Sequence, residues 1–200
     1  METKTKIDRR TLRTKEAIHK AFQDLFTEKD FDRITINEIA DRANVNRGTI
    51  YLHYTDKHDL FYNCVADLLD KMILSCSFSK MTQTKITDPV EATEALEALF
   101  VYIEQNFQFF SSMLSYQKTS FRDCVLKVIM AAIQKQMDMQ GINQKMDKEL
   151  IIQFSASAFV GTIEWWIRNN LQHPPHYMAE QVYNLFERNQ VFASRSLPEH

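Results

Sequence analysis

The sequence predicts an all-α protein, and three observations carry that expectation. Only three Gly and four Pro occur in 200 residues, which suits a few long elements rather than many turns. Apolar residues recur at three- and four-residue spacing through most of the chain, the period of a helix with one buried face. No run of alternating apolar and polar residues reaches a useful strand length. With 44% hydrophobic residues, the chain is able to bury a core and is not disordered by composition. About nine helices are expected, in an N-terminal three-helix unit and a C-terminal helical unit.

The first helix reads over residues 11–28, where Ala17, Ile18, Ala21, Phe22, Leu25 and Phe26 share a face. "TEKDFDRI" (27–34) breaks the pattern, and Phe31 and Ile34 dip back toward a core. A short second helix follows over 35–45. Thr35 is its N-cap, and Glu38 stands at the capping-box position three residues on. Asn44 suits the left-handed conformation that ends a helix, with Val45 turned inward. Asn46 caps a third helix, "RGTIYLHY", whose inward residues are Ile50 and Tyr54. A fourth begins at Thr55 or Asp56 and runs to about residue 78 through Leu60, Phe61, Cys64, Val65, Leu68, Leu69 and Met72.

After the polar linker 79–89, helices are expected from Val90 to about Phe107, over 108–115 and over 119–139. Two more are expected from Asp147 to Leu171 and from the "HPPH" loop (173–176) to about Phe192, ahead of a frayed "SRSLPEH" tail. The domain boundary is placed at 56/57, giving 1–56 and 57–200, with helix 4 (56–78) linking the two.

The charge pattern points to a polyanion. Residues 1–58 hold 12 Lys+Arg and 10 Asp+Glu, a net +2, whereas the rest hold 12 and 16, a net −4. A basic N-terminal end on an acidic body fits nucleic-acid binding. Cys64, Cys76 and Cys124 show no CxxC or zinc spacing, so free thiols in a reducing cytoplasm are expected. No apolar run has the length of a membrane span or the form of a signal peptide, so no membrane role is expected. No catalytic constellation, phosphate loop or metal set stands out. The chain therefore reads as no enzyme, with no cofactor and no metal. "HPPH" reads as a loop in which a His caps one helix and a Pro starts the next.

Residues 35–54 have the layout of a helix-turn-helix, and this explains the composition of "NVNRGTIYLHYTDKHDLF". One face of the second helix locks into the core through Ile50. The other stays polar and open, to enter a major groove about 12 Å wide. Gly48 lets backbone come close to a sugar-phosphate strand, Asn46 and Arg47 donate, and Thr49 and Tyr51 offer hydroxyls and a flat apolar ring. Lys57, in the first turn of the next helix, is placed to hold a phosphate.

"TINEIADRANVNRGTIYLHYTDKHDLF" resembles the signature of TetR/AcrR-type transcriptional regulators: Thr-x-x-x-Ile-Ala, Ala-x-Val, a polar pair with Gly, Tyr-x-His-Tyr, then Lys-x-x-Leu. The resemblance is close over residues 10–62. It implies a double-stranded DNA operator, a homodimer and a small-molecule effector. Carried over by position, it places DNA contacts on Thr35, Asn46, Arg47, Gly48, Thr49, Tyr51, His53 and Lys57. His53 also suits a backbone bond near the helix end. Many members carry a second aromatic where this chain has Leu52, so Leu52 is read as packing.

In the C-terminal half, Phe100, Phe107, Phe110, Met113, Tyr116, Phe159 and Trp166 are candidates for an apolar effector cavity, with plain helical core as the alternative. Ser155, Ala158, Gly161 and Thr162 form a stripe of small residues. With Val182, Leu185 and Phe186 of the last helix, they suit an isologous dimer through the last two helices. The readings weighed against a ligand-responsive, repressing DNA-binding regulator are an enzyme and a protein-interaction module of the same shape.

Overall fold

A computed structural model of the chain describes residues 9–75, 88–116, 121–137, 139 and 144–188. Among these residues there are nine α-helices, short stretches of 3-10 helix and no strand. The helices are α1 (Arg9–Glu28), α2 (Ile36–Ala43), α3 (Arg47–Tyr51), α4 (Lys57–Ser75), α5 (Pro89–Gln105), α6 (Phe107–Ser115), α7 (Phe121–Gln136), α8 (Lys148–Arg168) and α9 (Pro175–Arg188). The 3-10 turn between α1 and α2 is Phe31–Arg33. Two compact units, Met1–Leu68 and Leu69–His200, meet in sequence within α4. The expected boundary at 56/57 lies at the start of that helix. Cys76, the linker 79–87, Phe192 and the "SRSLPEH" tail lie outside the described residues.

The N-terminal unit is built on the apolar face of α1, from which Ile18 and Phe22 are fully buried. Phe22 meets Phe61 of α4 edge-on at 5.9 Å, and Phe31 meets Phe61 at 5.2 Å. Each such ring contributes roughly 1.5–3 kcal/mol by leaving water, so this cluster is the main anchor of the unit. Ion pairs then fix α2 against the end of α1: Arg42 holds Glu28 by a two-pronged contact at 2.8 and 2.9 Å, and Lys29 pairs with Glu38.

A buried polar network ties α1 to the segment after α3 and to α4. The Tyr54 hydroxyl lies 2.9 Å from Nε2 of His19, and Nδ1 of His19 lies 3.2 Å from Asp67. A carboxylate only accepts, so in the neutral imidazole Nδ1 donates to Asp67 and Nε2 accepts from Tyr54. Burial pushes the Tyr54 hydroxyl up to about 12, with the Cys64, Asp67 and Asp59 charges adding to it.

In the C-terminal unit, α5 packs with α9, and α8 packs with α6 and α7. Asp88 caps α5 by accepting from the Val90 amide at 3.1 Å, with Pro89 in the first turn. Asp147 caps α8 through the Leu150 amide at 2.8 Å. α8 is long and apolar enough, by composition alone, to cross a bilayer, with a mean hydropathy of 1.3. Half of that stretch is buried within the protein, and Phe159, Ile163, Trp166 and Ile167 on it are core residues. The Trp166 indole donates to the His173 carbonyl at 2.9 Å, which pins the "HPPH" loop, and α9 starts at Pro175.

Candidate nucleic-acid interface

Local chemistry sets the angle of the two short helices. Thr35 and Glu38 form a complete capping box: the Thr35 hydroxyl accepts from the Glu38 amide at 3.3 Å, and Glu38 accepts from the Thr35 amide at 2.9 Å. The Lys29 ammonium, and after it the Thr35 amide, hold the Glu38 carboxyl down at about 2. α2 ends at Asn44, which takes the left-handed conformation (φ 53°, ψ 46°). The Val45 amide then returns to the Ala40 carbonyl at 3.0 Å, closing the helix end. Val45 is only half-buried, so the entry to α3 is held less deeply than the sequence suggests.

Asn46 turns the chain into α3. Its side-chain oxygen accepts from the Gly48 amide at 2.8 Å, leaving the amide NH2 as its group for an outside partner. Regular α-helix stops at Tyr51, short of the expected Tyr54. One further turn is closed by the His53 and Tyr54 amides, both bonded to the Ile50 carbonyl at 2.9 Å. Ile50 is fully buried and is the inward anchor of α3.

The outward face is bare. Asn46, Arg47, Gly48 and Tyr51 are exposed, and Thr49 and His53 are half-exposed. Arg47 donates to the Tyr51 hydroxyl at 3.2 Å, and its guanidinium lies 5.4 Å from the Tyr51 ring centre. The pair forms one flat, cationic, hydrogen-bonding surface. A Cβ added at Gly48 would meet only the Asn46 side-chain oxygen, at an ordinary 3.4 Å. The fold therefore has room for Ala there.

Two residues stand differently from expectation. Leu52 does not pack: it is 82% exposed beside Tyr51, an apolar contact surface that the packing assignment missed. The family's aromatic at that position was the signal for it. Lys57 is not a free clamp for phosphate. Its ammonium donates to the carbonyls of Phe31 and Ile34 at 2.8 Å each and of Asp32 at 3.4 Å, and it lies over the Phe31 ring. Burial lowers its pKa, against the pull of Asp32 and Glu38. Thr35 is exposed at the start of α2, with its hydroxyl also donating to Glu38 at 2.9 Å.

The residues expected to line an aromatic cavity in the C-terminal unit stand in different surroundings. Phe100 and Trp166 are fully buried and meet at 90° and 5.1 Å, and Phe100 meets Phe159 at 6.1 Å. These rings interlock as core. Met113 is buried, and Phe107 and Tyr116 are half-buried near the two ends of α6. Of the seven residues, Phe110 lines a small apolar cavity whose other walls include Met72, Ile103, Val160 and Ile167. Phe159 instead borders an outer groove of about 190 Å³ with Phe154, Ala158, Leu185 and Phe186.

A capped helix, a left-handed turn and a second helix with a bare cationic face define a helix-turn-helix DNA-binding regulator. The sequence model for bacterial regulatory proteins of the tetR family matches residues 18–64, and one for a transcriptional regulator C-terminal region matches residues 90–188. The chain belongs to the TetR family of transcriptional regulators.

It is 26% identical over 197 residues to the uncharacterized HTH-type transcriptional regulator YxbF of Bacillus subtilis, covering 93% of this chain and 48% of that protein. The chain thus spans about half the length of that relative. It is 22% identical over 192 residues to a probable acrEF/envCD operon repressor of Escherichia coli, covering 84% of this chain and 82% of that protein. Among solved structures, the dihydroxyacetone kinase operon activator DhaS superposes with a TM-score of 0.68 at 18% identity, over 88% of this chain and 96% of the other. That likeness is one of fold.

Proposed function

We propose that this protein is a cytoplasmic repressor that binds a palindromic operator as a homodimer and is released by a small-molecule effector. The observation that carries the reading is the division of α3 into one buried anchor, Ile50, and a bare face of Arg47, Gly48, Tyr51 and Leu52. In the proposed complex Arg47 reads a guanine edge by a two-pronged contact, which a Lys could not reproduce. Tyr51 and Leu52 rest on sugar or thymine methyl groups. Asn46, Thr49, His53 and the α2 start at Thr35 face phosphates, Gly48 lets the strand approach, and Lys57 positions the unit from within.

A helix this short reads only a few base pairs, so a second copy supplies the missing affinity. The groove between α8 and α9 is the proposed seat of that copy. Phe154 (68% exposed) and Leu185 (53% exposed) flank the small Ala158, and a Cβ at Gly161 would meet nothing within 4 Å. Repression is favoured over activation because occupying a promoter needs only DNA binding. The E. coli relative is named a repressor and DhaS an activator. An effector acting on the C-terminal unit would shift α4 and move the paired α3 helices off a half-site spacing of about 34–36 Å.

Fluorescence anisotropy of the full chain on duplex DNA across a salt series tests the reading. Affinity should fall steeply, with a log–log slope near −0.9 per phosphate neutralised. A salt-independent affinity would remove DNA as the partner.

A further inference from the structure

The small apolar cavity beside Phe110 carries one charged feature, at its edge. Its walls are nearly all apolar: Met72 of α4, Ile103 of α5, Phe110 and Leu114 of α6, Val125 of α7 and Val160 of α8. At its edge, Glu164 of α8 forms an ion pair with Arg122 of α7, with Nε 3.1 Å from the carboxylate. The two partners are unequally buried, with side-chain exposures of 18% for Glu164 and 49% for Arg122.

That asymmetry decides which charge a ligand could take. Glu164 is fixed on the core helix and, mostly withdrawn from water, needs a cationic partner wherever the ligand sits. Arg122 is half in solvent, on the first turn of α7, and rehydrates readily if displaced. An anionic guest would draw Arg122 away and face the Glu164 carboxylate across an apolar space, where like charges repel strongly. A cationic guest instead replaces Arg122 at Glu164 and leaves no charge uncompensated. Resting on the effector-responsive reading above, we infer that the cavity edge at Glu164 is a site for an amphiphilic cation, with its ammonium on Glu164 and its apolar body among Met72, Phe110 and Val160.

The cavity as it stands has a volume of about 20 Å³, room for roughly one water molecule. A guest must therefore push the walls apart. Met72 is the adaptable wall, an unbranched side chain with three rotatable bonds, and it stands on α4, the helix that also carries Asp67 of the N-terminal unit's polar network. Expansion at Met72 thus acts on the helix that holds His19 and, through it, Tyr54.

The test is calorimetric titration of the full chain with octyltrimethylammonium, octanoate and octanol, each below its micelle concentration. The cation should bind roughly tenfold or more tighter than the anion. Arg122→Ala removes the residue that competes for Glu164, and the folded variant should bind the cation at least as tightly as the parent. Glu164→Gln should lose most of the cation's affinity and keep that of octanol. Octanoate binding best, and weakening in Arg122→Ala, would overturn the charge assignment while leaving the effector reading standing. Equal cation binding by Glu164→Gln would also overturn it. If none of the three amphiphiles binds the parent chain, the cavity is no effector site and the inference falls with it.

Discussion

The ammonium of Lys57 lies 4.4 Å from the centre of the Phe31 ring and donates to the Phe31 carbonyl at 2.8 Å. Together with the Ile34 carbonyl, this ties the start of α4 to the turn between α1 and α2. Each charge-assisted bond of this kind is worth about 1.5–3 kcal/mol when broken. Lys57→Ala should therefore lower the urea midpoint of the full chain, and any loss of DNA affinity should follow the loss of folded protein. A variant with the parent's midpoint and a uniformly weaker affinity for all sequences would restore the phosphate role.

Gly48 and Arg47 separate folding from recognition. Gly48→Ala should fold at least as stably, gaining up to about 0.5–1 kcal/mol of helix preference, because the added Cβ meets only an ordinary contact. Its DNA affinity should nevertheless fall. Arg47→Ala should relax the preference at one base pair per half-site, by about 1–3 kcal/mol of discrimination. Gel-shift competition with single-base operator variants reads both. Unchanged affinity in Gly48→Ala would mean that no strand approaches α3 at that point.

Glu38 makes stability pH-dependent at the acid end. Its folded carboxyl is held at about 2 against an ordinary 4.5, so the folded state releases this proton more readily than the unfolded chain. The sign follows: its contribution is fully present above about 4.5 and disappears as pH falls toward 2. Glu38→Gln should be less stable than the parent at pH 7, with the two converging near pH 2. Chemical denaturation at several pH values checks this, and a gap that stays constant would contradict the Lys29 pairing.

The outer groove predicts assembly. Leu185→Glu changes an exposed side chain, so the isolated fold should keep its melting behaviour at low concentration. Sedimentation should show a monomer, and affinity for a two-half-site DNA should fall by roughly 10²–10⁴ as the linked second contact is lost. A Leu185→Glu dimer as tight as the parent's would place the self-association surface elsewhere.

What the sequence made legible was local. Thr35 and Glu38 are three residues apart, and Asn44 acts on its own helix end, so spacing alone was enough to read them. Ile50 followed from the helical period. The inward bonds of Lys57 were not legible because its partners are more than twenty residues away and are backbone carbonyls, which carry no residue signature. Phe100 and Trp166 were candidates for a cavity with plain core as the alternative, and the spacing of residues along a helix carries no record of their edge-to-face contact. Leu52 was misread because apolar character predicts burial, whereas the short α3 leaves it outside. Helix ends also fell inside the expected limits at α3 and α8, where the chain leaves the regular helix through closing turns, with left-handed Asn170 and Leu171 after α8.

The central claim is that the face of α3 around Arg47 and Tyr51 reads DNA in duplicate. Selection of fragments bound by the full chain from random duplex DNA tests it most directly. The enriched site should be an inverted repeat whose half-site centres lie about 10–10.5 base pairs apart or at a multiple of that. Failure to enrich any sequence, or a single unsymmetric element bound by one chain, would contradict it.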